Sequence, residues 1–441
     1  MNATKIIVLD DDPTGSQTVH GCLLLTRWDI ATLREGLTDG APLFFVLTNT
    51  RALDPERTRT VTREVCFNLR RVLAGLDLRP IFVSRSDSTL RGHYPVETDE
   101  MAAELGPFDA HFLVPAFFEG GRFTRDSVHY LRQDGREVPV HETEFARDSV
   151  FGYRHSYLPD YVEEKTQGRI KAQDVVRLTL DAIRNGVSDR LMQLRGNACV
   201  VVDAETQADL DRFAGDVRRV TAAGKRFLFR SAASLITSLA RLPPQPQRGE
   251  DMGRYAGGGA GAVLVGSHVP RSTRQLNELL TEPGVTPVEV DVARLPESRA
   301  ELLAAALAAA DVAHRGGSTP VIFTSRVERS FSSVAARLAF GETVSELLMD
   351  IVRGLPPTLG FLVSKGGITS NDVLSRGLRL RAARLLGQIL PGVSVVRCPR
   401  DHPRHPDMPV VIFPGNVGDD RALAEVYRRL HRTEAAARAA T

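Results

Sequence analysis

The stretch IIVLDDDPTGS, residues 6–16, decides the fold. Four β-branched or apolar residues in succession read as a short strand buried on both faces, the kind found inside a parallel sheet. Asp10, Asp11 and Asp12 follow at once, with the turn Pro13-Thr14-Gly15-Ser16 behind them. Packing gives no reason for three adjacent acids, so the end of this strand marks a place where carboxylates meet a ligand hydroxyl, one of them acting as a base.

The same grammar repeats outward along the chain. Apolar runs at 43–47, 81–83, 112–114 and 198–202 alternate with amphipathic segments, and the pattern restarts with runs at 262–265, 287–292, 321–324, 360–363, 393–396 and 410–413. Strands alternating with helices predict an α/β protein in which each sheet is mostly parallel and flanked by helices. At 441 residues the chain exceeds the ~250–300 residues one core can serve. Between the two series lies PPQPQRGEDMGRYAGGGAGA, residues 243–262, rich in Pro, Gly and Gln and poor in core-forming side chains. These features predict two domains, 1–242 and 262–431, a linker at 243–261 and a tail at 432–441, with the active site in the cleft between the domains.

Fifty-six basic residues against 54 acidic ones leave a net charge of +2, without the broad positive field that nucleic-acid or membrane-surface binding uses. Neither partner is expected. Cys22, Cys66, Cys199 and Cys398 are far apart and form no C-x-x-C pair, which suits a reducing cytoplasm. The apolar run at 6–9 is too short for a signal peptide or a membrane span.

In open α/β sheets ligands collect at the carboxyl ends of the strands. After 43–47 come Thr48, Asn49, Thr50 and Arg51, and an arginine there can offer its planar fork to a carboxylate. After 81–83 comes Ser84-Arg85-Ser86-Asp87-Ser88-Thr89-Leu90-Arg91-Gly92, which delivers an acid, several hydroxyls and further arginines. Three such ends suit a small polyhydroxy anion. The loop Phe117-Phe118-Glu119-Gly120-Gly121-Arg122 reads as a plain turn, and His141-Glu142-Thr143-Glu144 as a solvated loop without metal-ligand spacing. No metal site is expected from side chains alone.

The second half is glycine-rich where a phosphate would need it. Gly266-Ser267-His268 follows one run, and Lys365-Gly366-Gly367-Ile368-Thr369-Ser370 follows another and precedes a helix. Backbone N–H groups at such turns bind phosphate. Pro414-Gly415-Asn416-Val417-Gly418 follows the last run. No G-x-x-x-x-G-K-[ST] occurs, and the glycines of 257–261 precede their strand, so neither a P-loop nor a dinucleotide fingerprint is present.

Taken in order, the segments 10–16, 48–53, 86–92, 266–275, 365–373 and 415–418 resemble the four-carbon acid sugar kinase family along nearly the whole chain. The resemblance implies a phosphotransferase with an alcohol group as acceptor, using ATP and Mg²⁺ to phosphorylate threonate, erythronate or 3-oxo-tetronate in carbohydrate catabolism. It implies an N-terminal acid-sugar domain and a C-terminal nucleotide domain. Carried over by position, Asp11, Arg51, Asp87, Ser88, Thr89 and Arg91 would bind the acid; the general base lies among Asp10, Asp11, Asp12 and Asp87, with Asp12 and Asp87 taken as the catalytic candidates. Ser267, Gly366, Gly367, Ile368, Thr369 and Gly415 would meet ATP. A homodimer is compatible with the resemblance. Two positions depart from the family pattern: Arg85 stands where a lysine usually precedes the D-S-T-x-R-G run, and Phe413-Pro414 stands where Lys-Ser often precedes the last glycine turn.

Overall fold

In the computed structural model the run that opens the chain is strand β1 (Ala3–Asp10), with Ile6 to Leu9 buried as its apolar character requires. The structure describes residues 3–133, 135–326, 333–415 and 417–431; the expected tail at 432–441 and Asn416 lie outside them. The chain divides into two units, Met1–Pro244 and Gln245–Thr441.

The first unit is built on eight parallel strands. In chain order these are β1, β2 (Leu23–Leu25), β3 (Leu43–Leu47), β4 (Leu78–Arg85), β5 (Ala110–Val114), β9 (Val176–Leu178), β10 (Ala198–Val202) and β11 (Phe227–Ser231). Between β5 and β9 the strands β6 (Arg122–Arg125), β7 (Val128–Gln133) and β8 (Arg136–Pro139) form a small antiparallel sheet of their own. In space the large sheet runs β2-β3-β1-β4-β11-β5-β10-β9. The chain leaves β1 toward β2 and β3 on one side and returns to β4 on the other. The switch of direction therefore falls at β1, and the crevice beyond its carboxyl end is the expected ligand position in such sheets.

Helices cover this sheet for local reasons. In the helix Pro55–Leu73, Asp54 caps the free N–H groups of Glu56 and Arg57, and Pro55 sits at the first turn, where no hydrogen bond is lost. Thr58, Thr62, Val65, Cys66, Leu69 and Val72 recur at helical spacing and form its buried stripe.

The second unit carries five parallel strands in the order β13 (Val285–Val290), β14 (Thr319–Thr324), β12 (Ala262–Val265), β15 (Leu362–Lys365) and β18 (Pro409–Phe413). The antiparallel β17 (Val393–Arg397) and β16 (Ala382–Leu390) extend it beyond β18. The segment 243–261, expected to be a linker, is in fact packed. Gln245 exchanges hydrogen bonds with the backbone of Gln388, Gly249–Tyr255 forms a 3-10 turn, and Met252 is fully buried in the core of the second unit. One well-placed methionine anchors a stretch whose composition alone reads as flexible. Among the described residues no helix is long and apolar enough to cross a membrane.

Candidate active site

Three strand ends converge at the crevice beyond β1. Thr48 donates its N–H to the carbonyl of Asp10 at 2.9 Å, Arg51 N–H reaches the carbonyl of Asp11, and Asp11 N–H reaches that of Arg85. Asn49, in the left-handed region at φ 52°, turns the chain after β3, and the short 3-10 turn Thr50–Ala52 then carries Arg51 back toward β1. Arg51 donates from Nη2 to Asp11 Oδ1 at 2.5 Å and from Nε to Oδ2 at 3.2 Å. Its remaining nitrogen, Nη1, lies 3.5 Å from Asp12 and 4.0 Å from Asp87. One guanidinium thus gathers three carboxylates from two strand ends.

The four aspartates are not equivalent. Asp10 is wholly buried, and burial raises its carboxyl to about 8 against the pull of Arg85, whose Nη1 lies 3.4 Å away. Burial thus favours its protonated form. Asp11 has both oxygens engaged, by Arg51 and by Ser86 Oγ at 2.7 Å. Burial also works against ionisation of Asp12, but Arg51 and the hydrogen bonds from Thr14 outweigh it and hold this carboxyl below its ordinary value. At Asp87 burial is likewise reversed by Arg51 and Arg91, and the group stays ionised far below the usual range. Among the described residues Asp12 Oδ2 and Asp87 Oδ1 accept no hydrogen bond, and their side chains remain 20% and 14% exposed. These are the two carboxylates with an oxygen left for a ligand.

The loop after β4 is held rigidly. Thr89 donates its N–H and its hydroxyl to Asp87, and Arg91 Nε donates to the same oxygen at 2.9 Å. His129 Nε2 donates to the carbonyl of Ser88, which leaves Nδ1 to accept from Thr124 Oγ1. Burial keeps this imidazole neutral, near 4. Tyr153 and Tyr161 donate to the carbonyls of Thr89 and Leu90. Ser86, Asp87, Arg91, Tyr94, Tyr161 and Arg230 line a small cavity that is partly open to solvent.

Sequence reasoning missed several of these groups. Arg230, on β11, pairs with buried Glu97 at 2.6 Å, and Glu97 in turn accepts from Thr50. Arg122 belongs to the loop read above as a plain turn. Its Nε is buried without an acceptor, it forms no ion pair among the described residues, and burial lowers its pKa. Its guanidinium and that of Arg91 lie 5.9 and 5.0 Å from the centre of the Phe145 ring. The lone signal in sequence was a basic residue behind paired glycines.

In the second unit the glycine turns meet at the carboxyl ends of β12, β15 and β18. A Cβ on Gly266 would overlap Thr369 Oγ1, so the turn after β12 and the turn after β15 touch only because residue 266 is glycine. Ser272 Oγ joins Ser267 Oγ at 3.0 Å to the carbonyl of Gly415 at 3.1 Å. Ser267, Gly366, Thr369 and Gly415 are thereby brought together, while the side chain of Ile368 projects outward, 64% exposed. Lys365, the last residue of β15, pairs in register with Phe413 and is fully buried. Its Nζ lies 4.1 Å from the Phe413 ring centre and donates to the carbonyls of Pro414 and Gly415. A cation thus reaches the last glycine turn from the neighbouring strand. Burial, with Arg271 nearby, lowers this lysine to about 7.

The fold is that of a two-unit α/β protein, with a cluster of carboxylates and arginines at strand ends of one unit and converging glycine turns on the other. Residues 6–239 match the family model described as "Sugar-binding N-terminal domain", and residues 262–423 match "Nucleotide-binding C-terminal domain". The chain belongs to the four-carbon acid sugar kinase family. A D-erythronate kinase from Heliobacterium modesticaldum is 27% identical over 223 residues, 48% of this chain and 47% of that protein. A D-threonate kinase from Bordetella bronchiseptica is 27% identical over 278 residues, 60% of this chain and 59% of that protein. The matched stretches thus span about half to three fifths of those relatives. Solved structures from Salmonella typhimurium LT2 (TM-score 0.70, 18% identity) and Haemophilus influenzae (TM-score 0.64, 16% identity) share the fold, covering 97% and 96% of this chain and the whole of each neighbour.

Proposed function

We propose that the protein is an ATP-dependent kinase that phosphorylates a hydroxyl of a four-carbon sugar acid such as threonate, erythronate or 3-oxo-tetronate. The observation that carries this reading is the pair of ionised, ligand-accessible carboxylates, Asp12 and Asp87, held on a single guanidinium at the switch of the first sheet. A substrate hydroxyl is oriented by hydrogen bonding to such an oxygen and passes its proton there as the phosphoryl group arrives. Asp11 and Arg51 position the pair. Arg91, which lines the cavity and retains donors beyond its bond to Asp87, takes the substrate carboxylate, with Ser88 and Thr89 on the same rigid loop.

On the second unit the turns bearing Ser267, Gly366 to Thr369 and Gly415 receive the nucleotide phosphates. Phosphoryl transfer needs positioning and charge neutralisation more than covalent chemistry, and the site's fixed donors suit it. Mg²⁺ carried on the phosphates supplies further neutralisation when bound, and such an ion needs only one or two protein carboxylates. Among the described residues no three His, Cys, Asp or Glu side chains gather into a preformed cage. The four cysteines are buried and form no disulfide, which favours a cytoplasmic setting.

The test is release of ADP from MgATP in the presence of D- and L-threonate, D- and L-erythronate and 3-oxo-tetronates. Turnover on one member is expected, with Asp12→Asn and Asp87→Asn each lowering kcat by roughly 10²- to 10⁴-fold. Silence of the unaltered protein across the panel would sink the reading, and full activity of both variants would move the base elsewhere.

A further inference from the structure

Arg326 lies two residues beyond the end of β14, the strand that neighbours β12. Its Nη2 donates to the carbonyl of Ser267 at 2.7 Å and to Thr273 Oγ1 at 2.9 Å, which fixes the guanidinium against the glycine turn after β12. Nε and Nη1 are buried and find no acceptor among the described residues. Burial lowers its pKa, and no acid among the described residues opposes the shift. Elsewhere in the second unit the pattern is different: Arg274 meets Asp420, Arg299 meets Asp350, and Arg428 meets Glu282.

A guanidinium stays protonated in any protein interior, so a half-buried arginine with two idle donors and no carboxylate is a costly arrangement by itself. An anion would resolve it. Ser267, to which Arg326 is tied, stands beside Gly366 and Gly415, where the phosphates are read to bind.

We propose that Arg326 is a phosphate ligand of the nucleotide site, offering Nε and Nη1 to the polyphosphate of a nucleoside di- or triphosphate. The inference rests on the nucleotide reading given above. It adds a fixed positive charge to a cradle otherwise made of backbone N–H groups, hydroxyls and a lysine already engaged with carbonyls.

The full-length chain is titrated calorimetrically with MgATP and with adenosine, which carries no phosphate. Arg326→Gln is expected to weaken MgATP ~10- to 100-fold, as loss of a charge-assisted contact does, and to leave adenosine within about twofold. Arg326→Lys keeps the charge without the planar fork and should fall between the two. Equal weakening of both ligands would overturn the inference, because it would show that Arg326 only shapes the Ser267 turn. Unchanged MgATP affinity in both variants would overturn it as well. If the unaltered chain binds neither ligand, the nucleotide reading falls and takes this inference with it.

Discussion

Replacing Arg51 by alanine tests the organisation of the first site most directly. The substitution removes two hydrogen bonds to Asp11, at 2.5 and 3.2 Å, from a carboxylate only 1% exposed. Asp11 would keep Ser86 Oγ and a more distant Arg85 Nη1 at 3.7 Å. Breaking a buried ion pair by removing one partner commonly costs ~3–5 kcal/mol. The surviving Arg85 contact and the 18% exposure of Arg51 place the expected loss near the lower end, about 3 kcal/mol. Trp28, the single tryptophan, lies in the first unit, so its fluorescence in a urea titration reports the unfolding of that unit. Adding Asp11→Ala and completing the double-mutant cycle should return a coupling of about 2 kcal/mol. A loss below about 1 kcal/mol, or a coupling near zero, would refute the view that this pair organises the site.

Three further outcomes follow from the same geometry. Gly15→Ala would drive a Cβ into both carboxylate oxygens of wholly buried Asp10, and should cost roughly 1–3 kcal/mol in the same Trp28 transition; a change under about 0.5 kcal/mol would contradict the placement of that turn. Asp10 is protonated up to about 8 in the fold but ionises near 3.8 when unfolded, so the stability it contributes is complete below pH 3.8 and is lost as pH rises through about 8. Asp10→Asn, which mimics the protonated acid, should flatten the fall in stability between those limits, and an unchanged slope would show that Asp10 is ionised in the fold. Arg91→Gln should lower kcat/KM for the sugar acid ~10-fold or more while leaving the corresponding neutral four-carbon polyol much less affected; equal effects on both would separate Arg91 from the substrate carboxylate.

Much of this molecule is legible from local sequence. The run Ile6–Leu9 within β1 and the whole of β3, β10 and β12 are apolar, and a parallel strand covered on both faces needs little else. Strand ends are legible too: the acids after β1, Arg51 after β3 and the D-S-T-x-R-G loop after β4 stand out because charge interrupts hydrophobicity abruptly. β2, β9 and the small sheet of β6 to β8 escaped notice, as did β11 and β16. Phe227–Ser231 ends in Arg-Ser, and Ala382–Leu390 spaces its leucines as a helix would, so neither shows a clean strand pattern.

What only the tertiary structure decided is which of these ends meet. Sequence alone placed four aspartates within reach of a substrate; the pairing of β1 with β3 and β4 buried Asp10, occupied Asp11, and left Asp12 and Asp87 sharing one arginine. β11 inserts between β4 and β5 and brings Arg230 to the cavity from far along the chain. The register of β15 against β18 sets Lys365 on the carbonyls of Pro414 and Gly415, and the adjacency of β14 and β12 puts Arg326 on Ser267. A strand's own residues determine what chemistry it can carry to its end, because burial and charge are local properties. Strand order and register determine what that chemistry faces, because hydrogen bonding between strands joins residues that no window of sequence contains.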